Sequence, residues 1–485
     1  MMHQFFISIL PFLLLLLVKK WLLDTPPKSK IRPPSPKTIP ILGNLHQLGS
    51  RPHRKLHSLA KCYGPLMMLH FGSKPALMVS SADDAQEIMK THDLIFSNKP
   101  KLSVSDKLLY QGKNISTAPY GEYWTQIRSI CVLQLLSNKR VYSFQNVRTE
   151  ETVILMNRIK NEMFATLAND IICRVALGRK HSEGKGGTRF KELLGEFMVL
   201  LGGLTVGEFI PWLRWLNHVN GFNARVDKVA KEFDRFLDGV IEEHMVSKTG
   251  GSVHGEDQHD FVDVLLVEIL SLHLFRLKFC NADMFAAGTD TTFIILDWAM
   301  TELIMNPDAM EKAQDEVRGV VGDRKVVQES DLPRLSYMKG VIKEIFRLHP
   351  PSPVLLPRES LEDVIIDGYN IPAKTRIYVN VWGMGRDPEL WGNPETFEPE
   401  RFIGSGIDFK GQDFELIPFG AGRRSCPAIT FGIAAIEIAL AQLLLSFDWK
   451  LPPGLEAMDV DNTEAFGISM HRTVPLHVVA KPHFD

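Results

Sequence analysis

Cysteine is scarce in this sequence, and it never occurs in pairs. The 485 residues include five scattered cysteines with no CxxC pair. Such a set excludes a disulfide framework and a structural zinc site, and it favours a reducing compartment. Cys426 is preceded by glycines and arginines and needs a separate explanation. The other four lie in apolar stretches and are interpreted as small core residues, namely Cys62, Cys131, Cys173 and Cys280.

An excess of charge of either sign is also missing. The formal net charge is -2 at pH 7, so nothing in the charge balance indicates a nucleic-acid partner. Hydrophobic residues make up 45% of the chain and charged residues 23%. This ordinary globular composition excludes wholesale disorder and predicts a large buried core.

Beyond residue 38 the sequence has no second linker, no internal repeat and no low-complexity tract. A chain of this length would suggest about three domains, but without linkers a single large domain over residues 45–485 is favoured. Apolar residues recur mostly at helical spacing, so the predicted fold class is mainly α with a small β-sheet region. The predicted helices cover 82–91, 121–136, 225–247, 281–305, 310–320, 336–348 and 429–445, and the predicted strands cover 66–71, 76–80, 376–381 and 476–480.

Residues 5–18 are almost wholly apolar, residues 21–23 extend this run past Lys19 and Lys20, and residues 24–44 are rich in proline. An apolar run close to the 20 or so residues that span a bilayer, with lysines after it, predicts a single uncleaved membrane anchor. A cleaved signal peptide is the alternative, but no basic residue precedes the run and no small-x-small site follows it. The positive residues after the run predict a cytosolic body. The proline-rich stretch is interpreted as a stiff hinge, with a disordered linker as the alternative.

A long apolar segment, ADMFAAGTDTTFIILDWAMTELIMNP at 282–307, predicts a buried helix that ends at Pro307. Gly288 follows two alanines, although a glycine in a helix costs about 1 kcal/mol relative to alanine. Asp290 and Thr291 come next, and an acid and a hydroxyl could relay protons to a group that approaches the helix there. Tight helix packing, with a few polar residues turned to solvent, is the alternative.

The segment KEIFRLHPP at 343–351 places Glu344 and Arg347 on one helix face, at i and i+3. Most such pairs are exposed and contribute about 0.3–0.5 kcal/mol. Apolar neighbours predict burial here, and a buried ion pair needs further hydrogen bonds to offset its desolvation. Arg401, in FEPERF at 397–402, is the candidate to supply them.

The segment PFGAGRRSC at 418–426 combines a flexible loop with a thiol. Gly420 and Gly422 permit positive backbone angles. Cys426 lies just before a predicted helix, where exposed N–H groups and the charge of Arg424 favour a thiolate. Such a thiolate could be a nucleophile, a redox thiol or a metal ligand. No histidine or second cysteine is close, which favours the metal ligand, and haem iron is the common case of a single thiolate ligand.

Together these motifs resemble the cytochrome P450 superfamily, specifically the microsomal plant enzymes of the 71 clan. The resemblance covers essentially the whole chain and implies the cytochrome P450 fold, with a membrane anchor at 1–23, a hinge at 24–44 and a catalytic domain at 45–485. Its motifs, in the order of the family, are WTQIR (124–128), AAGTDTT (286–292), EIFR (344–347), PRES (357–360), PERF (399–402), PFGAGRRSC (418–426) and TEAFGISMHR (463–472).

The resemblance also implies a site. Cys426 resembles the axial thiolate ligand of the iron in haem b, with Phe419 packed beside the loop. Asp290 and Thr291 resemble the pair that delivers protons to dioxygen, and Gly288 would leave room for it. The residues at positions that match contacts to the haem propionates are Trp124, Arg128, Arg358 and Arg424. The residues that match a buried ion network are Glu344, Arg347 and Arg401. The residues that match the substrate pocket are Ala286, Thr289, Val354, Leu355, Phe466 and Ile468.

The implied reaction inserts one oxygen atom of O2 into a small hydrophobic plant specialised metabolite, such as a terpenoid, a phenolic or an amino-acid derivative. Electrons would come from NADPH through NADPH–cytochrome P450 reductase. The protein would be a single-pass protein of the endoplasmic reticulum membrane with a cytosolic catalytic domain. Two alternatives keep the haem, namely an aldoxime-dehydratase or rearrangement-type enzyme of the same family and a catalytically impaired haem-binding membrane protein.

Three features depart from the family pattern. Ala428 stands where the family usually has glycine, and the chain is shorter than its relatives near residues 160–161. Residues 267–285 differ from the usual lead into the long helix, which is the reason for the catalytically impaired alternative.

Overall fold

The computed structural model describes residues 31–159, 165–178, 184–203, 205–249, 260–263, 275–465 and 467–484. The predicted anchor and residues 160–161 lie outside this part of the chain. Within it the fold is mainly helical with small sheets, as predicted. The α-helices with described bounds are Pro52–Tyr63, Ala82–Gln86, Ser103–Leu108, Glu122–Ile130, Asn138–Ser143, Gln145–Ile159, Ala165–Leu177, Gly184–Leu201, Val206–Phe209, Leu216–Val219, Phe222–Thr249, Phe275–Met305, Pro307–Val321, Ser336–Leu348, Val381–Met384 and Ile429–Ser446.

The central helix (Phe275–Met305) has 31 residues and lies in the main hydrophobic core. At 1.5 Å per residue it is about 46 Å long. Its second half is buried, and Trp298 is fully inaccessible, as expected for a helix that is apolar on every side. It packs against Ala165–Leu177 and against the C-terminal helix (Ile429–Ser446). It also includes the second half of the atypical 267–285 segment as ordinary helix.

The C-terminal helix is apolar enough to cross a membrane by composition, with a mean hydropathy of 1.9 over its 18 residues. It packs inside the protein instead, against Gln145–Ile159 and the central helix, and 61% of it is buried. Its first residue, Ile429, follows Cys426 by three positions, so the core fixes where the cysteine loop ends.

The helix Ser336–Leu348 has the predicted bounds. His349 and two prolines follow it, and the first proline cannot continue the helical hydrogen bonding. One face of this helix is completely buried, which places Glu344 and Arg347 in the core. The predicted helices at 82–91 and 121–136 each end in a π-helical turn, at Glu87–Thr91 and Cys131–Leu135.

The main sheet has four strands in the order β1–β2–β6–β3, where β2 and β6 are parallel and the other pairs are antiparallel. The predicted strand at 476–480 has the wrong bounds, because β8 begins at Val479. The register of β8 is decided by its pairing with β7, which sets Phe447 opposite Pro482, and not by the local sequence pattern. The strands are β1 Leu66–Phe71, β2 Lys74–Val79, β3 Arg358–Glu359, β4 Val364–Ile366, β5 Tyr369–Ile371, β6 Arg376–Val379, β7 Phe447–Lys450 and β8 Val479–Pro482.

Candidate active site

The loop that carries Cys426 is held by its backbone. Gly420 and Gly422 have φ angles of +66° and +65°, in the left-handed region that favours glycine. A Cβ on Gly422 would collide with the carbonyl oxygen of Met89. The N–H of Cys426 donates to the carbonyl oxygen of Phe419 at 2.9 Å. The cysteine is therefore fixed directly before the C-terminal helix.

Ala428 is accommodated without backbone strain. Its φ of -104° and ψ of 22° lie on the side of the backbone map that L-residues adopt. Its side chain packs against the main core. The glycine that the family usually has at this position is therefore not required by the backbone in this chain.

The thiol of Cys426 is not ionised by its protein surroundings alone. Burial raises its pKa, and the N–H of Ala428 and the charge of Arg128 offset this only in part. The guanidinium of Arg424, the expected nearby charge, donates to the backbone carbonyl oxygens of Ser97 and Ala118 at 2.6 and 2.7 Å. A thiolate here needs another positive group, such as a coordinated metal ion.

Cationic side chains converge around one indole ring beside this loop. The guanidinium carbon of Arg424 lies 4.0 Å from the ring centroid of Trp124, and that of Arg128 lies 5.4 Å from it. Arg358 is 4% exposed and donates to the carbonyl oxygen of Ala421 at 2.6 Å. Three arginines from separate parts of the chain are thereby brought to one place.

Lys99 is a fourth member of this cluster, which the sequence analysis missed. Its side chain is buried, and its Nζ donates to the carbonyl oxygens of Leu356 and Pro357 at 3.1 and 3.0 Å. Burial, followed by the charges of Arg358 and Arg424, lowers the pKa of Lys99 well below that of an ordinary lysine. Nothing in the sequence around it distinguishes it from a surface lysine.

Among the described residues, Asp93 is a carboxylate that pairs with this cluster, with Oδ1 3.3 Å from Nη1 of Arg358. Burial, and then repulsion from Arg358 and Arg128, lowers the pKa of Arg424 to about 9. Lys99 and Arg358 are buried and Arg128 and Arg424 half-buried, and cations withdrawn from water in excess of their counter-charges are costly. The cluster therefore suits a bound group that carries negative charges, and the two propionates of a haem fit that requirement.

Asp290 and Thr291 are adjacent on the central helix, but their side chains have different partners. The Thr291 hydroxyl donates back to the carbonyl oxygen of Ala287 at 2.6 Å. Oδ2 of Asp290 accepts from the Ser469 hydroxyl at 2.6 Å, and Oδ1 lies 2.9 Å from Nε2 of His471. The sequence analysis missed both partners, although they belong to the C-terminal motif TEAFGISMHR.

The small residues before Asp290 allow close helix packing. A Cβ on Gly288 would lie 2.7 Å from Cδ1 of Ile172 in the neighbouring helix, so the absence of a side chain lets this helix pack closely. Thr289 is buried, and its hydroxyl has no hydrogen-bond partner among the described residues. The side chain of Ala286 lies outside the part that the structure describes.

Glu344 and Arg347 form a bidentate pair, with Nε–Oε2 and Nη2–Oε1 distances of 2.7 and 2.6 Å. Arg401 joins the same carboxylate through Nε at 3.0 Å, where the sequence analysis placed it. Arg347 also donates to the carbonyl oxygens of Pro394 and Thr396 at 2.6 and 3.0 Å. These bonds compensate the desolvation of two side chains that are at most 1% exposed.

A cavity lies between the main sheet, the short helix Val206–Phe209 and the C-terminal segment. Val354, Leu355 and Ile468 line it, whereas Thr289 is not part of its described lining and Phe466 lies outside the described residues. A Cβ on Gly202 would lie 2.6 Å from the backbone nitrogen of Ile468, so glycine is needed there. Lining residues that the sequence analysis missed include Met78, Gly202 and Phe209.

The fold is similar to two solved structures of a zebrafish cytochrome P450, one with abiraterone and one with progesterone. Each structure has a TM-score of 0.74 and 23% sequence identity to this chain. Each match covers 89% of this chain, and it covers 100% of the solved chain with abiraterone and 99% of the one with progesterone. At this identity the likeness shows the fold alone. The class of protein is thereby defined as one with the cytochrome P450 fold.

The cytochrome P450 family model matches residues 33–477. Cytochrome P450 71AP13 of Prunus mume is 52% identical over 496 residues, which cover 98% of this chain and 96% of the relative. Cytochrome P450 71A1 of Persea americana is 49% identical, and the match covers 91% of this chain and 92% of the relative. Norfluorocurarine oxidase of Strychnos sp. is 46% identical, with 97% of both chains covered. This chain belongs to the cytochrome P450 family and is a monooxygenase of the plant 71 clan.

Proposed function

We propose that this chain is a haem-thiolate monooxygenase that inserts one oxygen atom of O2 into a small hydrophobic plant specialised metabolite. The observation that carries the proposal is the meeting of Cys426 with a surplus of buried and half-buried cations. A thiol partly withdrawn from water needs a positive partner to ionise, and cations withdrawn from water need anionic partners. Haem b supplies both, as an iron ion and two propionates.

The residues around the loop have distinct roles in this proposal. Cys426 would ligate the iron, while Arg128, Arg358 and Arg424, together with Trp124, would hold the propionates. When bound, the haem would supply the activation of dioxygen, which a thiolate ligand promotes. The side chain of Phe419 would pack against the cofactor beside the ligand.

The ion network would brace the cysteine loop. The helix Ser336–Leu348, which carries Glu344 and Arg347, also carries Phe346. The ring centroid of Phe346 lies 5.1 Å from that of Phe419 in an edge-on contact. Arg347 and Arg401 hold this helix in place by donating to surrounding backbone carbonyl oxygens. The Glu344 carboxylate accepts from both arginines and from the N–H of Glu398. A change in the network is therefore expected to move the loop.

The central helix would serve the delivery of protons and the binding of substrate. Asp290 would hold a proton, and Thr291 would pass it on through its hydroxyl. The predicted pocket residues Ala286, Thr289, Val354, Leu355, Phe466 and Ile468 would contact the substrate. A relative named as an oxidase of norfluorocurarine supports a small molecule as substrate.

The proposal includes a redox partner and a membrane. Two electrons would come from NADPH through NADPH–cytochrome P450 reductase. Residues 1–23 would anchor the protein in the endoplasmic reticulum membrane, residues 24–44 would form the hinge, and the catalytic domain at 45–485 would lie in the cytosol. The apolar run at residues 5–18, followed by two lysines, supports this arrangement.

The carbon monoxide difference spectrum of the reduced, membrane-expressed protein tests the proposal. The wild type is expected to show the band of a thiolate-ligated haem, and Cys426→Ser is expected to lose it. Cys62→Ser, which changes an exposed cysteine, is the matched control and is expected to keep the band. A wild type without haem, or a Cys426→Ser protein with the full band, would overturn the proposal.

The two alternatives share the haem site, so the band does not distinguish them. A measurement of NADPH-dependent oxygen insertion across a panel of terpenoids, phenolics and amino-acid derivatives distinguishes them from the proposed monooxygenase. Dehydration or rearrangement without oxygen uptake would support the aldoxime-dehydratase type, and normal haem without any turnover would support the impaired protein.

A further inference from the structure

The carboxylate of Asp290 is held by a segment that is distant in sequence. Ser469 and His471 bind its two oxygens at 2.6 and 2.9 Å. The Asp290 side chain is only 13% exposed, whereas that of His471 is 32% exposed. The imidazole therefore lies between a nearly buried acid and the solvent.

The segment around Ser469 and His471 is fixed by backbone hydrogen bonds on either side of Met470. The N–H of Met470 donates to the carbonyl oxygen of Pro351 at 2.9 Å. Its carbonyl oxygen accepts from the indole N–H of Trp298, on the central helix, at 2.9 Å. The contact between the C-terminal segment and Asp290 is thereby tied to the same helix that carries the acid.

We propose that Ser469 and His471 are positioning residues for Asp290, and that the His471 imidazolium is the group that returns a proton to the Asp290 carboxylate. In this step the Nε2–H bond of His471 breaks and an O–H bond forms at Oδ1 of Asp290. The neutral ring keeps its Nδ1–H and regains a proton at Nε2 from a solvent hydronium ion, which becomes water, once the ring turns toward the solvent. The inference rests on the proposed role of Asp290 in proton delivery.

The charged groups that face His471 are Asp290 and Asp297 of the central helix, and Arg472 is its neighbour on its own segment. Nη1 of Arg472 lies 3.7 Å from Oδ1 of Asp297. Burial works to lower the pKa of His471, but the hydrogen bond and charge of Asp290, with the charge of Asp297, raise it above its ordinary value. Because the imidazolium exists below that pKa, proton return is present at low pH and is lost as the pH rises through it.

The experiment uses the haem-loaded full-length protein with its reductase, NADPH and O2. The fraction of NADPH electrons released as hydrogen peroxide rather than water is measured from pH 6 to about pH 9, across the range where histidine titrates. In the wild type this fraction is expected to rise as the pH rises. His471→Gln keeps a hydrogen-bond donor but cannot titrate, so it is expected to release a high, pH-independent fraction. Its rate of water formation is expected to fall about tenfold, less than loss of a direct general acid would cause.

Two further variants separate proton return from simple positioning. Ser469→Ala removes one bond to Asp290 and leaves the titrating ring, so it is expected to release more peroxide at every pH while keeping the wild-type slope. His477→Gln changes an exposed histidine of the same segment and is expected to keep the wild-type profile. A steeper or flatter profile in His477→Gln, or a flat one in Ser469→Ala, would overturn the assignment to His471.

Histidine-selective NMR gives a readout that does not depend on turnover. The His471 resonance is expected to titrate above about 6.5, the ordinary histidine value, and to return toward that value in Asp290→Asn. A normal carbon monoxide band combined with a wild-type pH profile in His471→Gln would overturn this inference and leave the proposed function standing. Absence of the band in the wild type would overturn both.

Discussion

Two glutamates near the EIFR and PERF motifs pair with cations but differ in burial. Glu344 is fully buried and is bonded by Arg347 and Arg401. The Glu400 side chain is 43% exposed and lies 2.7 Å from Nζ of Lys312. A buried charge depends on its partners because it has lost its water, whereas water and salt screen a surface pair. The same residue type therefore has different importance at the two positions.

Glu344→Gln is expected to lower the free energy of unfolding by about 3–5 kcal/mol, because it leaves Arg347 buried without its counter-charge. Urea denaturation followed by circular dichroism measures the change. Glu400→Gln is the matched control and is expected to stay close to the wild type. Equal stability of the two variants would contradict the role given to the buried network.

At the scale of the element, the cysteine loop and the helix after it use glycine for different reasons. Gly422 has a positive φ, and a Cβ at this position would collide with the carbonyl oxygen of Met89. Gly432 lies within the C-terminal helix, and a Cβ there would have nothing within 4 Å. The loop needs glycine for both its angle and its space, whereas the helix does not.

Gly422→Ala is expected to destabilise the protein by about 1–3 kcal/mol, the range for a strained backbone position, and to weaken the retention of haem. Gly432→Ala is expected to stabilise it by about 0.5–1 kcal/mol, because alanine is the better helix former. Thermal unfolding and the intensity of the carbon monoxide band are measured for both. The same loss in both variants would contradict the assignment of a specific loop geometry.

At the scale of the whole molecule, Glu464 joins three separate parts of the chain. Its carboxylate lies 2.8 Å from Nε2 of His53 and 2.6 Å from Nε of Arg54, and it accepts from the indole N–H of Trp382 at 3.1 Å. Burial works to raise the pKa of Glu464, but the hydrogen bonds from His53 and Arg54 outweigh it and hold the pKa well below its ordinary value. The first long helix of the described chain is thereby bound to the C-terminal segment.

A depressed pKa makes this junction sensitive to acid. The stabilisation from Glu464 is fully present above its unfolded pKa of about 4.3, and it is lost as the pH falls through the folded value. Glu464→Gln is expected to be about 2–3 kcal/mol less stable than the wild type at neutral pH. The difference is expected to shrink below about pH 4.

Unfolding free energies of the two proteins at pH 7, 5 and 3.5 (about one unit below the unfolded pKa) test this expectation. Glu362→Gln changes an exposed glutamate and is the control for the loss of one charge. A difference between wild type and Glu464→Gln that stays constant with pH would contradict the proposed ion pairing.

The sequence by itself determined the local features. The helix at 336–348, the i, i+3 pair of Glu344 and Arg347 and the glycines before Cys426 follow from spacing and backbone chemistry that act over a few residues. The ordered motifs, each weak alone, were together sufficient to predict the family. These features needed no knowledge of which distant segments meet.

Only the tertiary structure decided which partners the reactive groups have. The charge of Arg128, distant in sequence, lowers the pKa of the Cys426 thiol against the effect of burial, and Lys99 joins the cation cluster. Ser469 and His471 reach Asp290 from the far end of the chain, and the register of β8 depends on its partner strand. The physical reason is that burial and charge pairing depend on distance in space, and packing of the core sets those distances.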